Sequence, residues 1–188
     1  MELVQPIRDK RKIARMKAIL KLQNMRDYAL FTLGINSGLR ISDLLKLKVA
    51  DVADESGNVK DRITLREKKT GKAKDFPISA TAKKALLEYF ADAKPKLDDF
   101  LFPSRKGGGP ISRIQAYRIL SNAAKIAGIK EKIGTHSLRK TFGYHAYKQG
   151  MDLSVVQKLL NHSSPGQTLD YIGITRDDLD NVYLTLNL

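Results

Sequence analysis

Residues 24–36 carry Met25, Tyr28, Ala29, Leu30, Phe31, Leu33 and Ile35 in one helix-length stretch. A helix with so little polar face must be surrounded by other elements, so this one belongs at the centre of a domain. The spacing on either side suits a helical shell. Residues 9–22 are rich in Lys, Arg, Met, Ala and Leu, all good helix formers. Ser37-Gly38 breaks the apolar pattern, and Ser42 is placed to cap a short helix carrying Leu44, Leu45 and Leu47.

Between Arg62 and Ile78 the period changes. Ile63-Thr64-Leu65 and Phe76-Pro77-Ile78 read as two short strands joined by a turn at Lys69-Thr70-Gly71-Lys72, with Pro77 at an edge or an end. The result is a small antiparallel hairpin with a strongly basic tip. Helical spacing returns at Ala82, Ala85, Leu86, Tyr89 and Phe90. Pro95 and the loop Gly107-Gly108-Gly109-Pro110 bracket an irregular stretch around Phe100 to Phe102. Further helices are expected from about Ser112 to Ala127, over 136–149 up to Gly150, from an Asp152 cap through about Leu160, and over 176–186. The fold class is mainly α with a small antiparallel β-sheet (α+β). No linker divides the chain, so 1–188 reads as a single domain.

The charge narrows the function. Lys and Arg number 34 against 20 Asp and Glu, a formal net charge of +14. Such an excess repels itself in a compact state, and a polyanion relieves the repulsion, which puts nucleic acid first among partners. The basic residues are densest over Arg8 to Lys21, Lys60 to Lys74 and Lys125 to Lys140, without a like-charge run long enough for a disordered tail. The chain has no cysteine, which excludes disulfides, thiolate zinc sites and a cysteine nucleophile. No apolar run approaches membrane-spanning length and no signal-peptide pattern is present, so the expectation is a cytoplasmic, DNA-associated protein without a membrane partner.

Several residues could carry chemistry. His136 and Arg139 are three apart at the start of a helix, so imidazole and guanidinium can reach one ligand. Arg40 lies between Leu39 and Ile41, and an arginine so placed needs a partner. Asp43 could hold it, or could hold a different arginine. His162 ends a helix, and Tyr171 follows nine residues later. One combination is a decoy: Ser137-x-x-Lys140 with Lys69-Thr70-Gly71 mimics β-lactamase elements, but in reversed order and without Ser-Asp-Asn.

In order along the chain, Gly38-Leu39-Arg40, the hairpin lysines, His136-x-x-Arg139, His162 and Tyr171 resemble the tyrosine recombinase (phage integrase) family. The resemblance spans residues 9 to 184 and implies the catalytic-domain fold of that family, without its N-terminal DNA-clamping domain. It implies catalytic roles for Arg40, Lys69, His136, Arg139, His162 and Tyr171, with Asp43 in support and Lys72 as the reserve for Lys69. The implied activity is site-specific recombination through a 3′-phosphotyrosyl link on Tyr171, with no cofactor and no metal, as in phages and mobile elements. The implied partners are double-stranded DNA, other copies of the chain (a monomer in solution and a homo-tetramer on DNA) and accessory DNA-bending proteins. The stripe Leu179, Val182, Tyr183 and Leu186 suits packing on the chain's own core or on a neighbouring copy. Two departures stand out: Asn161 where the family commonly has Gly before the second histidine, and Gly173 where a His often follows the tyrosine. Both fall around a loop expected to hold Tyr171.

The chemistry agrees. Charge builds on the phosphoryl oxygens in the transition state, and fixed cations stabilise it. Arginine forks match phosphate in a way lysine does not. His136 is suited to take the phenolic proton and Lys69 to give one to the leaving oxygen. No Gly-x-x-x-x-Gly-Lys-Ser/Thr loop is present, in keeping with a reaction that needs no ATP. Two other readings share the fold or the chemistry: a non-catalytic DNA-binding relative, and a type IB topoisomerase-like nicking and closing enzyme.

Overall fold

The computed structural model describes residues 4–67 and 71–186. Lys68, Lys69 and Thr70, which include the lysine expected at the hairpin tip, lie outside the described residues, as do the side chains of Leu179 and Val182. No described helix is long and apolar enough to cross a membrane.

The central helix is α2 (Met25–Ser37), with Ala29, Leu30, Phe31 and Leu33 fully or almost fully buried. Each of the larger three contributes about 1.5–3 kcal/mol by leaving water. Asn24 caps α2 by accepting from the Arg26 amide at 3.0 Å. Three helices surround α2: α1 (Lys10–Gln23), α5 (Ala80–Ala93) and α7 (Thr135–Lys148). The α5 stripe Ala82, Ala85, Leu86 and Tyr89 is the buried one, as its spacing requires. Gly34 lets α7 approach α2 closely, since a Cβ there would stand 2.6 Å from Leu138 Cδ1.

After α2 come two single turns of helix, α3 (Ile41–Leu44) and α4 (Val49–Val52). Ser42 does not cap the first of them. The helix starts two residues sooner than that cap would allow, with Arg40 in the extended cap position. Strands β1 (Arg62–Arg66) and β2 (Ala73–Pro77) then form the antiparallel hairpin, with Ile63 opposite Phe76 and Pro77 at the end opposite Arg62. Helix α6 (Arg113–Ile126) is capped by Ser112, which accepts from the Gln115 amide at 3.1 Å.

The last third builds a second, smaller core. Val156 and Leu160 of α8 (Leu153–Leu160) and Ile172 of α9 (Pro165–Ile172) are fully buried, with Phe142, Tyr147 and Tyr171 packed against them. Tyr171 therefore sits on a helix, where the sequence suggested a loop. Ser164 caps α9 and Pro165 occupies its first turn, where a missing N–H does no harm. Helix α10 (Arg176–Leu186) closes the described chain, with Tyr183 and Leu186 exposed.

Candidate active site

Arg139 organises the site. It lies on α7 and is only 3% exposed. Its Nη1 donates to the Gly38 carbonyl and its Nη2 to the Leu160 carbonyl, each at 2.5 Å. One guanidinium thus ties the end of α2 to the end of α8. Gly38 makes its carbonyl available by adopting φ 61°, a left-handed conformation natural to glycine. A Cβ at this position would also meet the Phe142 ring at 2.5 Å.

Arg40 follows directly and pairs with Glu67, Nη1 to Oε2 at 2.7 Å. Glu67 comes at the end of the first hairpin strand and is 5% exposed. Its role was invisible in the sequence, which offered Asp43 as a partner for Arg40 or for another arginine. Asp43, also buried, acts electrostatically on Arg139 and on Lys74. Burial holds Arg139 below its ordinary value, and Arg40 adds to the effect by repulsion, while Tyr171, Glu67 and Asp43 oppose it. The two arginines are therefore close enough to feel one another's charge. Two buried acids, Glu67 and Asp43, balance them.

Tyr171 meets this pair from the smaller core. Burial raises its phenol above the ordinary range, opposed by the positive charges of Arg139 and Arg40. The His162 ring stands edge-on to the Tyr171 ring, with centroids 4.8 Å apart. Nδ1 of His162 lies 3.2 Å from Thr168 Oγ1, one turn before Tyr171 on α9. Burial, then Arg139 and Arg40, keep His162 below the usual imidazole range. Asn161 just before it adopts φ 49°, a conformation that asparagine tolerates better than most residues, which accounts for the missing glycine. Lys140, 8% exposed, holds its ammonium 5.0 Å above the centre of the Tyr171 ring.

His136 faces α6. Its Nε2 is 3.0 Å from Nη2 of Arg113. Although the residue reaches the surface, packing around the ring partly desolvates it. This lowers its pKa, and Arg113, Lys140 and Arg139 lower it further.

The hairpin adds cations. Lys72 donates to Asn161 Oδ1 at 3.3 Å. Lys74 lies on the inner face of β2, opposite Leu65. Burial drives its pKa down to about 8, and Arg139 and Arg40 repel it while Glu67 and Asp43 attract it. Lys140 and Arg113 escaped the sequence reading, and Lys74 stood there only among the four lysines near the hairpin tip, of which Lys69 was preferred. Lys140 was visible only within a decoy motif, and Arg113 stands in no distinctive pattern. Among the described residues, no three His, Cys, Asp or Glu side chains gather as a metal-holding group.

The structure thus brings Arg40, Asp43, Arg139, His162 and Tyr171 together, with His136 coupled to them through Arg139 and Lys140. The sequence profile of the phage integrase family matches residues 9–177. The chain belongs to that family. A probable integrase/recombinase of Bacillus subtilis (strain 168), YoeC, is 49% identical over 177 residues, which cover 94% of this chain and 93% of that protein. A tyrosine recombinase XerD of Corynebacterium glutamicum is 37% identical over 164 residues, 85% of this chain but 52% of that protein. The chain therefore spans about half the length of its XerD relative. Among solved structures, XerA recombinase superposes with a TM-score of 0.76 at 23% identity, covering 100% of this chain and 64% of that one. The family and the fold class expected from the sequence are both borne out.

Proposed function

We propose that this chain is a site-specific DNA strand transferase that breaks and rejoins DNA through a covalent link to Tyr171. The observation that carries the reading is the placement of the Tyr171 phenol in the field of Arg139 and Arg40. Arg139 is itself fixed by two backbone carbonyls. A preorganised pair of guanidinium groups beside a nucleophile suits attack on a phosphodiester.

In this mechanism the Tyr171 oxygen attacks phosphorus. Its proton passes to His136, and the electron pair left on oxygen forms the new O–P bond. The bond to the 5′-oxygen breaks, and that oxygen takes a proton from Lys69. Arg40 and Arg139 hold the non-bridging oxygens, His162 adds a donor, and Asp43 supports the arginines. The products are a 3′-phosphotyrosyl link and a free 5′-hydroxyl. Because the link keeps the phosphate activated, the reverse attack rejoins DNA without ATP.

Double-stranded DNA is the partner on this reading. Solved recombinases of similar fold include XerH bound to its difH substrate and a lambda integrase dimer on a core site. Assembly as a homo-tetramer on DNA from a monomer in solution, and help from DNA-bending proteins, belong to the same proposal.

Strand exchange tests it. Two plasmids carrying the same fragment from the source genome, taken from a pool that flanks the coding region, are incubated with the protein. Recombinant junctions support the proposal. Relaxation of supercoiled plasmid without junctions indicates a nicking and closing enzyme instead. Salt-sensitive binding with neither product indicates a non-catalytic DNA binder.

A further inference from the structure

Arg113 opens α6 next to its Ser112 cap and is exposed to solvent. Its Nη2 lies 3.0 Å from Nε2 of His136. A guanidinium has donors and no acceptor, so Nε2 must accept in this contact. The proton of the neutral ring then sits on Nδ1. Among the described residues, the charged groups that act on the ring are cations: Arg113 from α6, and Lys140 and Arg139 from its own helix α7. Their repulsion and partial desolvation both favour the uncharged ring.

This arrangement bears on the base assigned to Tyr171, and the inference rests on that assignment. A base needs a free lone pair. The Nε2 lone pair of His136 is engaged by Arg113, and Nδ1 already carries a proton. His136 in this state is fixed and neutral, but cannot accept a proton at either nitrogen.

We propose that Arg113 is a positioning residue that holds His136 in the Nδ1-protonated tautomer and caps its lone pair until a DNA phosphate draws the guanidinium away. A phosphate is the natural competitor. A guanidinium–phosphate contact joins two opposite charges and can be made through two parallel N–H···O bonds, whereas the contact with neutral imidazole joins a charge to a single lone pair. Arg113 is at the surface, where a backbone phosphate can reach it, whereas Arg139 is anchored by two carbonyls inside. The free protein therefore keeps its base idle, and DNA binding releases the His136 ring to take up a proton.

The test uses nitrogen-15 NMR of the histidine rings in the whole chain, with His136 assigned by comparison with His136→Gln. In wild type without DNA, the long-range proton couplings should show Nδ1 protonated and Nε2 unprotonated. In Arg113→Ala the Nε2-protonated form should appear and the titration midpoint of His136 should move upward. The Ser112 cap remains, so this variant keeps its α6 start. Arg113→Lys, which restores a cation and a donor, should return part of both effects. A saturating duplex at low salt should shift the wild-type His136 signals toward those of Arg113→Ala. An Nε2-protonated ring in free wild type would overturn the proposal. So would signals indifferent to the Arg113→Ala substitution or to the duplex. These spectra need no catalysis. If His136 is not the base, the tautomer results still stand while cleavage by His136→Ala stays near wild type, so the two failures are distinguishable.

Discussion

The ring of His162 stands edge-on to the ring of Tyr171, 4.8 Å between centroids and 71° between planes. The contact joins the end of α8 to α9, and so couples the proposed phosphate donor to the proposed nucleophile. Both groups lie in the field of Arg139 and Arg40, which favours neutral imidazole and opposes the effect of burial on the phenol.

That field fixes the pH behaviour. Burial and neighbouring cations hold both His136 and His162 below their ordinary 6.5. A histidine that must be neutral to act as base is then already neutral at pH 7. The cleavage rate should rise with pH through a midpoint below 6.5 when measured at limiting DNA and fixed ionic strength, where the rate reports the groups of the free protein. A midpoint above 7 would contradict the placement of these rings.

Arg139→Lys should fail on two counts. Lysine keeps the charge but cannot fork between the Gly38 and Leu160 carbonyls. The loss of these buried bonds should lower stability by about 1–3 kcal/mol. Cleavage should fall by roughly a hundredfold or more, because the transition state loses a fixed donor. Denaturant unfolding and covalent-complex rates on the same variant check both.

Much of this site could be read in the sequence. Arg139, His162 and Tyr171 stand at spacings that a single ordered pattern connects, and α2 announces itself by its apolar density. Glu67 could not be found that way, and Lys74 stood out only as one of four lysines near the hairpin tip. Their importance comes from the hairpin folding back on Arg40 and Asp43, which involves pairings across the chain that no local period encodes. The placement of Tyr171 on a helix was missed for a similar reason. Pro165-Gly166 signals a break in an isolated sequence, yet proline is welcome in the first turn of a capped helix.

Lys74 makes a prediction of the opposite sign from most active-site substitutions. Its pKa falls from 10.5 to about 8 on folding, mainly through burial. Below pH 8 the folded protein carries the burdened charge in full. Between about 8 and 10.5 the folded form releases its proton before the unfolded form does, so stability rises with pH. Lys74→Met should therefore raise the melting temperature at pH 7, and the gain should shrink as pH climbs toward 10.5. A lower melting temperature at pH 7 would show that Glu67 and Asp43 more than offset the burial.

The proton donor can be tested by changing the leaving group. A substrate with sulfur in place of the bridging 5′-oxygen departs as a thiolate and needs no proton. Lys69→Ala should cleave the ordinary substrate about a hundredfold more slowly, and recover on the sulfur substrate. Arg139→Ala should stay slow on both. Recovery by Lys74→Ala rather than Lys69→Ala would move the donor role to the inner-face lysine.

The central claim concerns one oxygen atom, and trapping it is the most direct measurement. A nicked duplex that loses its short 5′-hydroxyl strand after cleavage cannot be rejoined, so any covalent complex accumulates. Pooled source-genome fragments built in this form are incubated with wild type and with Tyr171→Phe, then run on a denaturing gel and digested for peptide mapping by mass spectrometry. The account predicts a protein–DNA adduct for wild type, mapped to Tyr171, and none for Tyr171→Phe. An adduct that persists in Tyr171→Phe, or that maps to another residue, would contradict it.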